Sequence, residues 1–214
     1  MEKRRLDKFK KTVARRQPDL TVILENVWDP HNVGAVLRSC DSVGIKEIFV
    51  LNTEEKLVER QKLVIGKRTS GGSSKWVDVH FYTDIAACFK HIRSIANKVY
   101  ATHLGGQAKD LYELDLTEPV ALLFGNEMLG VSDKVLKMCD GNFIIPQVGM
   151  AQSLNISVAC AVSVYEAYRQ RSEKGFYDEN LRMDGEAQKE LLATYVERHE
   201  MKMKPKRTVW KKEV

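Results

Sequence analysis

Three short segments place polar side chains where a chain of apolar strands ends, and each carries groups able to bind or polarise a substrate. In Glu25 to Arg38 (ENVWDPHNVGAVLR) an apolar run meets a proline-containing turn, with Asn32 at a natural N-cap position and Arg38 six residues further on. Read alone, Asn32 only caps a helix and Arg38 is a surface charge. In Leu122 to Asp133 (LLFGNEMLGVSD) an apolar strand runs directly into Gly125-Asn126-Glu127. An acid there lies where open α/β sheets place their ligands. In Ile144 to Ile156 (IIPQVGMAQSLNI) Ser153 and Asn155 open an apolar helix after an irregular loop. Ser153 by itself is an ordinary N-cap.

Familiar cofactor and metal signatures are missing. None of the thirteen glycines forms G-x-G, so the dinucleotide fingerprint is absent. Gly66 to Ser73 has the length of a P-loop but reads Gly71-Gly72-Ser73 where Gly-Lys-Ser/Thr is required. Without that lysine nothing reaches the terminal phosphates. The loop's Lys67 and Arg68 can still touch a polynucleotide backbone. Cys40, Cys88, Cys139 and Cys160 form no C-x-x-C pair, which suits reduced, packed thiols in a cytoplasmic protein and no metal site.

The elements that must position these groups alternate. Residues 21–27, 47–52, 76–82, 98–104, 119–124 and 142–145 read as strands; 33–43, 84–97 and 153–171 read as helices. Such alternation implies an α/β fold, a mostly parallel sheet with helices on both faces. A basic helix within 6–17 ends before Pro18, and an amphipathic helix at about 185–203 leads into a solvated tail, KPKRTVWKK. With 214 residues, 43% of them hydrophobic, the chain has enough apolar surface for a real core, which excludes wholesale disorder. No apolar run is long enough for a membrane span, and the start lacks a signal-peptide core.

The formal charge of +5 is unevenly spread. Residues 1–17 carry eight Lys/Arg against two acids and residues 198–214 seven against two, so the middle is net acidic. The expected organisation is a basic extension at 1–17, a catalytic domain at 18–175, and a helical, basic extension at 176–214.

Taken together, N-x-G-A-x-x-R at 32–38, F-G-N-E-x-x-G at 124–130 and I-P-x-x-G-x-x-x-S-L-N at 145–155 resemble the three motifs of the SPOUT-class RNA ribose methyltransferases. They are most similar to those of the TrmH tRNA 2′-O-methyltransferases. The resemblance implies a carboxyl-terminal deep trefoil knot, which no periodicity argument predicts because knots are nearly absent from folds. It implies S-adenosyl-L-methionine as cofactor, cradled by Thr102, Gly125, Asn126, Glu127, Met128, Leu129, Ile145 and Leu154. Arg38 becomes the chief catalytic residue, with Asn32, Glu127, Ser153 and Asn155 around it. A guanidinium stays protonated, so its expected role is to bind the RNA phosphate and stabilise the developing alkoxide. The implied substrate is a guanosine ribose of tRNA, at position eighteen of the D-loop. An rRNA or another tRNA nucleotide is the neighbouring alternative, and a non-catalytic RNA-binding protein the alternative of another class.

RNA contacts are then expected from Arg16, His31, Lys67, Arg68, Arg169 and Arg171, together with both basic ends. Such contacts position a backbone without reading its sequence. The resemblance also implies a homodimer, for which the small-residue face of the 153–171 helix is a candidate surface.

Overall fold

The computed structural model of the protein describes residues 1–55, 57, 69–105, 107–200 and 207–210. Among the described residues eight strands form one sheet: β1 Leu20–Glu25, β2 Glu47–Leu51, β3 Asp78–Tyr82, β4 Lys98–Thr102, β5 Lys109–Asp110, β6 Val120–Phe124, β7 Gly141–Ile144 and β8 Arg207–Trp210. Their order is β5-β7-β4-β6-β1-β2-β3-β8. Every pairing between them is parallel.

The central strands are apolar on both sides because both sides are covered. Along β1 and β6, Leu20, Val22, Leu24, Val120, Leu122 and Phe124 join one core, whereas Ile23, Ala121 and Leu123 join the other. That is the two-residue alternation of a pleated strand. The first core lies under helices α2 (Pro30–Ser42) and α5 (Ile156–Glu173), the second under α3 (Ile85–Ile92) and α4 (Asp133–Leu136). Helices α1 (Lys3–Ala14) and α6 (Gly185–Glu200) pack on one another through a smaller cluster of Phe9, Val13, Met183, Leu191 and Tyr195. Among the described residues no helix is long and apolar enough to cross a membrane.

Two caps fall elsewhere than the sequence predicts. Asp29 caps α2, accepting from the His31 N–H at 2.8 Å, and Pro30 occupies the first turn, where its missing N–H costs nothing. Asn32 is thereby moved inside the helix, and its side chain is released from capping. At α5 the cap is Asn155, not Ser153. The helix α2 ends as expected at Gly44, whose φ is +87° and where a Cβ would stand 2.6 Å from the Arg15 carbonyl oxygen.

Two expected RNA contacts are internal braces. Arg16 is fully buried: it donates to Tyr195 Oη at 2.8 Å, to the Ile45 carbonyl at 2.9 Å and to Asp41 Oδ1 at 2.6 Å. Arg171 is also fully buried, donating to the carbonyls of Leu116 and Glu118 and to Asp19 Oδ1. Their five-donor forks satisfy backbone carbonyls that the ends of β1, β6 and α2 leave unpaired. Neither can meet a phosphate.

The small-residue face of α5 is also taken within the chain. Cys160, Ser163 and Ala167 are buried, with Cys160 and Ala167 in the same core as Val33, Val36 and Cys40 of α2. It therefore offers no free surface for a second copy. Within the expected solvated tail, residues 207–210 pair with β3 as β8.

Candidate active site

Strands β1 and β6 run level, with Leu24 opposite Phe124, so the residues that follow them emerge side by side. Asn26 turns the chain with φ of +51°, a left-handed conformation that asparagine tolerates better than most residues. Its side-chain oxygen accepts from the Thr53 N–H at 2.8 Å and its amide nitrogen donates to Thr53 Oγ1 at 2.9 Å, tying β1 to the segment after β2. Its own carbonyl accepts from Asn126 Nδ2 at 2.9 Å.

Asn126 holds the second motif in a tight loop. Its side-chain oxygen accepts from the N–H groups of Met128 and Leu129, and its backbone exchanges two 2.9 Å bonds with Gly130. Gly125 is required here because a Cβ would lie 2.3 Å from the Gly130 carbonyl carbon. The loop leaves Met128 and Leu129 exposed and turns Glu127 toward α2.

Glu127, Asn32 and Asn155 form a chain. Asn32 Nδ2 donates to Glu127 Oε1 at 2.7 Å, and Asn155 Nδ2 donates to Asn32 Oδ1 at 3.2 Å. Asn155 Oδ1 in turn accepts from the Ser157 N–H at 2.9 Å and from its hydroxyl. An ionised carboxylate only accepts, which fixes the amide orientation of Asn32; a backbone N–H only donates, which fixes that of Asn155. One element from each motif is thus locked to the next.

Arg38 stands apart from that chain. Six residues along a helix place it about 9 Å further along the axis and about 120° around it from Asn32. It is exposed and lies against the turn at Gly71, where a Cβ would sit 3.4 Å from its Nε. Among the described residues no carboxylate forms an ion pair with it.

The other expected site residues divide. Thr102, at the end of β4, donates through Oγ1 to the Leu123 carbonyl at 3.3 Å. Ile145, after β7, packs on the core beneath α5, and Leu154 is partly exposed. Strands β7, β4 and β6 are adjacent, so Thr102, Gly125 and Ile145 share one end of the sheet. Ser153 is exposed in the loop before α5. His31 is exposed at the start of α2. Arg169 is exposed but already paired with Glu166 and Glu173 at 2.8 and 2.7 Å. Lys67 and Arg68 lie outside the described residues.

Sequence reasoning missed Asn26, Glu25 and Ser132. Glu25 is buried and accepts from the Ser132 N–H and hydroxyl at 3.0 and 2.6 Å. Burial pushes its carboxyl above the ordinary range, and the two serine bonds only partly offset that. The available signal was a pair of polar residues, Glu25-Asn26, ending an otherwise apolar strand.

Known proteins resemble the chain throughout this region. The profile of the SpoU rRNA Methylase family matches residues 19–165. The tRNA (guanosine(18)-2′-O)-methyltransferase of Thermus thermophilus is 43% identical over 88% of this chain and 94% of its own length. The protein of the same name from Escherichia coli is 38% identical, over 84% and 76% respectively. The crystal structure of the Aquifex aeolicus TrmH/SpoU tRNA modifying enzyme superposes with a TM-score of 0.79 at 35% identity, covering 91% of this chain and 96% of that one. The SpoU methyltransferase AviRb of Streptomyces viridochromogenes, solved with the cofactor AdoMet, has a TM-score of 0.62 at 27% identity, over 73% and 59% of the two chains. The motifs, the parallel sheet and these matches agree, and the chain belongs to the SpoU methylase family.

Proposed function

We propose that the protein is an S-adenosylmethionine-dependent tRNA (guanosine-2′-O)-methyltransferase acting on guanosine eighteen. The observation that carries this reading is the Glu127–Asn32–Asn155 chain, which joins all three motifs at one end of the sheet. Near-complete coverage of the Thermus relative favours tRNA over rRNA, because a 23S rRNA methyltransferase of Xanthomonas is matched over only 59% of its length.

The cofactor, when bound, supplies an activated methyl group. The cradle consists of Thr102, Gly125, Asn126, Glu127, Met128, Leu129, Ile145 and Leu154. Its fit rests on three adjacent strand ends, on the glycine that lets two backbone segments approach, and on the exposed side chains of Met128, Leu129 and Leu154. Arg38 binds the phosphate next to the target ribose and stabilises charge developing on the 2′-oxygen. Ser153 binds the ribose. Asn155, whose oxygen is committed to the α5 cap, positions Asn32, and Asn32 with Glu127 fixes the floor on which the nucleotide rests.

The deep trefoil knot belongs to the same reading, supported by the insertion of β7 between β5 and β4. So does a homodimer, for which the exposed apolar side chains Val148, Met150 and Val158 are the support. A reducing, cytoplasmic setting is supported by four free cysteines. We retain the division into 1–17, 18–175 and 176–214 as functional segments, with His31 and the outward lysines of α1 as RNA contacts.

The test is methyl transfer from labelled cofactor to tRNA followed by mapping of 2′-O-methyl positions. Label at guanosine eighteen is expected. Label in rRNA fragments with none in tRNA moves the protein to the rRNA branch, and tRNA binding without transfer or cofactor binding makes it a non-catalytic RNA-binding protein.

A further inference from the structure

The sequence suggests no metal site, yet one cluster lies on the α3 side of the sheet, built from β2, β3 and α3. Glu47 and Phe49 project from the same face of β2, and His80 stands opposite Phe49 in β3. His91, in the last turn of α3, comes down onto them. One ligand atom from each of Glu47, His80 and His91 lies within 4.8 Å of the others. We propose that these three side chains bind a divalent transition metal of the zinc class.

The donor set is two imidazoles and a carboxylate, which suits such an ion and leaves a fourth position for water. His80 Nε2 and Glu47 Oε2 are 2.7 Å apart, sharing a proton on a line that the ion would occupy. At zinc–ligand distances of about 2.0–2.2 Å, tetrahedral ligands stand roughly 3.3 Å apart. Glu47 and His80 must therefore open slightly and His91 close in, shifts within the reach of side-chain torsions.

The surroundings favour those shifts. His91 Nδ1 is 2.7 Å from Tyr82 Oη, the kind of outer partner that aims a ligating imidazole's other nitrogen. His80 is stacked on Phe49 at 5.2 Å, and its Nδ1 has no hydrogen-bond partner among the described residues, so a tilt of the ring disturbs only the Glu47 contact that the ion replaces. His80 and Glu47 retain 14% and 13% exposure, enough for an ion to enter. Lys46 Nζ lies 3.4 Å from Glu47 Oε1 and, being partly exposed, can swing into solvent when the ion arrives. On binding, the two nitrogens and the carboxylate coordinate the ion, and the proton held between His80 and Glu47 moves to the unpartnered Nδ1 of the same ring.

The test is calorimetric titration of chelator-treated full-length protein with zinc chloride. One ion per chain is expected. His80→Ala and His91→Ala should each weaken binding at least 100-fold, and Tyr82→Phe about 10-fold. Cobalt chloride should give the visible absorption of a low-coordinate nitrogen/oxygen site, lost in the same variants. His91 is partly exposed, so its alanine variant keeps the test available if the His80 variant fails to fold. Binding well below one ion per chain, or wild-type affinity in the His91 variant, overturns the proposal. The readouts involve neither tRNA nor methyl transfer.

Discussion

Arg38 and Arg171 are the same residue type with opposite uses, and the contrast runs through the molecule. Arg171, with Arg16, closes the end of the sheet where the strands begin: each is fully buried and spends its donors on carbonyls and one carboxylate, with the Tyr195 hydroxyl added for Arg16. Arg38 is exposed on α2, less than one helical turn before the Asp41 that Arg16 holds and against a glycine turn, and no carboxylate among the described residues pairs with it. A buried guanidinium with all its partners is a brace, because moving it would strand several polar groups at once. An exposed guanidinium without a partner is available to a phosphate. Charge alone does not separate the two; the neighbours do.

The largest effect expected from breaking this contrast is on stability. Arg171→Ala leaves the Leu116 and Glu118 carbonyls without their donor and Asp19 with Arg182 as its one remaining arginine, and loss of one partner of a buried pair costs about 3–5 kcal/mol. Urea denaturation should show stability fall by that amount, and a loss below about 1 kcal/mol would mean that water replaces the arginine freely. Arg38→Ala should do the reverse. Its stability should stay within about 0.5 kcal/mol of the parent, as for surface substitutions generally. Methyl transfer should drop on the order of 10²–10³-fold, the usual cost of removing one group that stabilises a developing oxyanion. Full activity in that variant would remove Arg38 from the chemistry.

A third test uses pH. Burial pushes the Asp19 carboxyl up, but Arg171 and Arg182 more than offset it and hold it below the ordinary value of 3.8. The folded state therefore gains from an ionised Asp19 above that value and loses the gain as the pH falls through the folded pKa. Asp19→Asn should be less stable than the parent at pH 7, and the gap should close below pH 3.8. A gap that stays constant down to pH 3 would mean that the pair is held by shape alone.

Much of the sheet was legible in the sequence because strands buried on both sides must be apolar throughout, as in Leu20–Glu25 and Val120–Phe124. The three motifs likewise marked the strand ends correctly. Short elements were not legible: the two residues of β5 and the four of α4 are too brief for any periodicity to register. Arg16 and Arg171 were misread because a basic residue beside a helix end looks the same in sequence whether solvent or a carbonyl cluster faces it. Asn32 looked like a cap because caps and interior asparagines share one residue type, and Asp29-Pro30, just upstream, makes the better helix start. The asparagine chain itself depends on β1 and β6 being neighbours across roughly a hundred residues of sequence, which spacing alone does not reveal.

The smallest expected effect concerns the basic face of α1, and it separates positioning charge from bracing charge most directly. Lys3, Arg4, Lys8 and Lys11 are exposed, whereas Arg16 at the end of the same basic segment is buried against α6. Deleting residues 1–17 would therefore remove a brace together with the surface charges and could not tell them apart. Substituting Lys3, Lys8 and Lys11 by alanine leaves the brace in place. If each lysine neutralises one phosphate, the slope of log affinity against log salt should flatten by about 0.7–0.9 per lysine, with the order of preference among tRNAs unchanged. Thermal stability and cofactor affinity should match the parent. An unchanged salt slope would mean that α1 faces solvent in the complex, leaving recognition to α2 through His31 and Arg38.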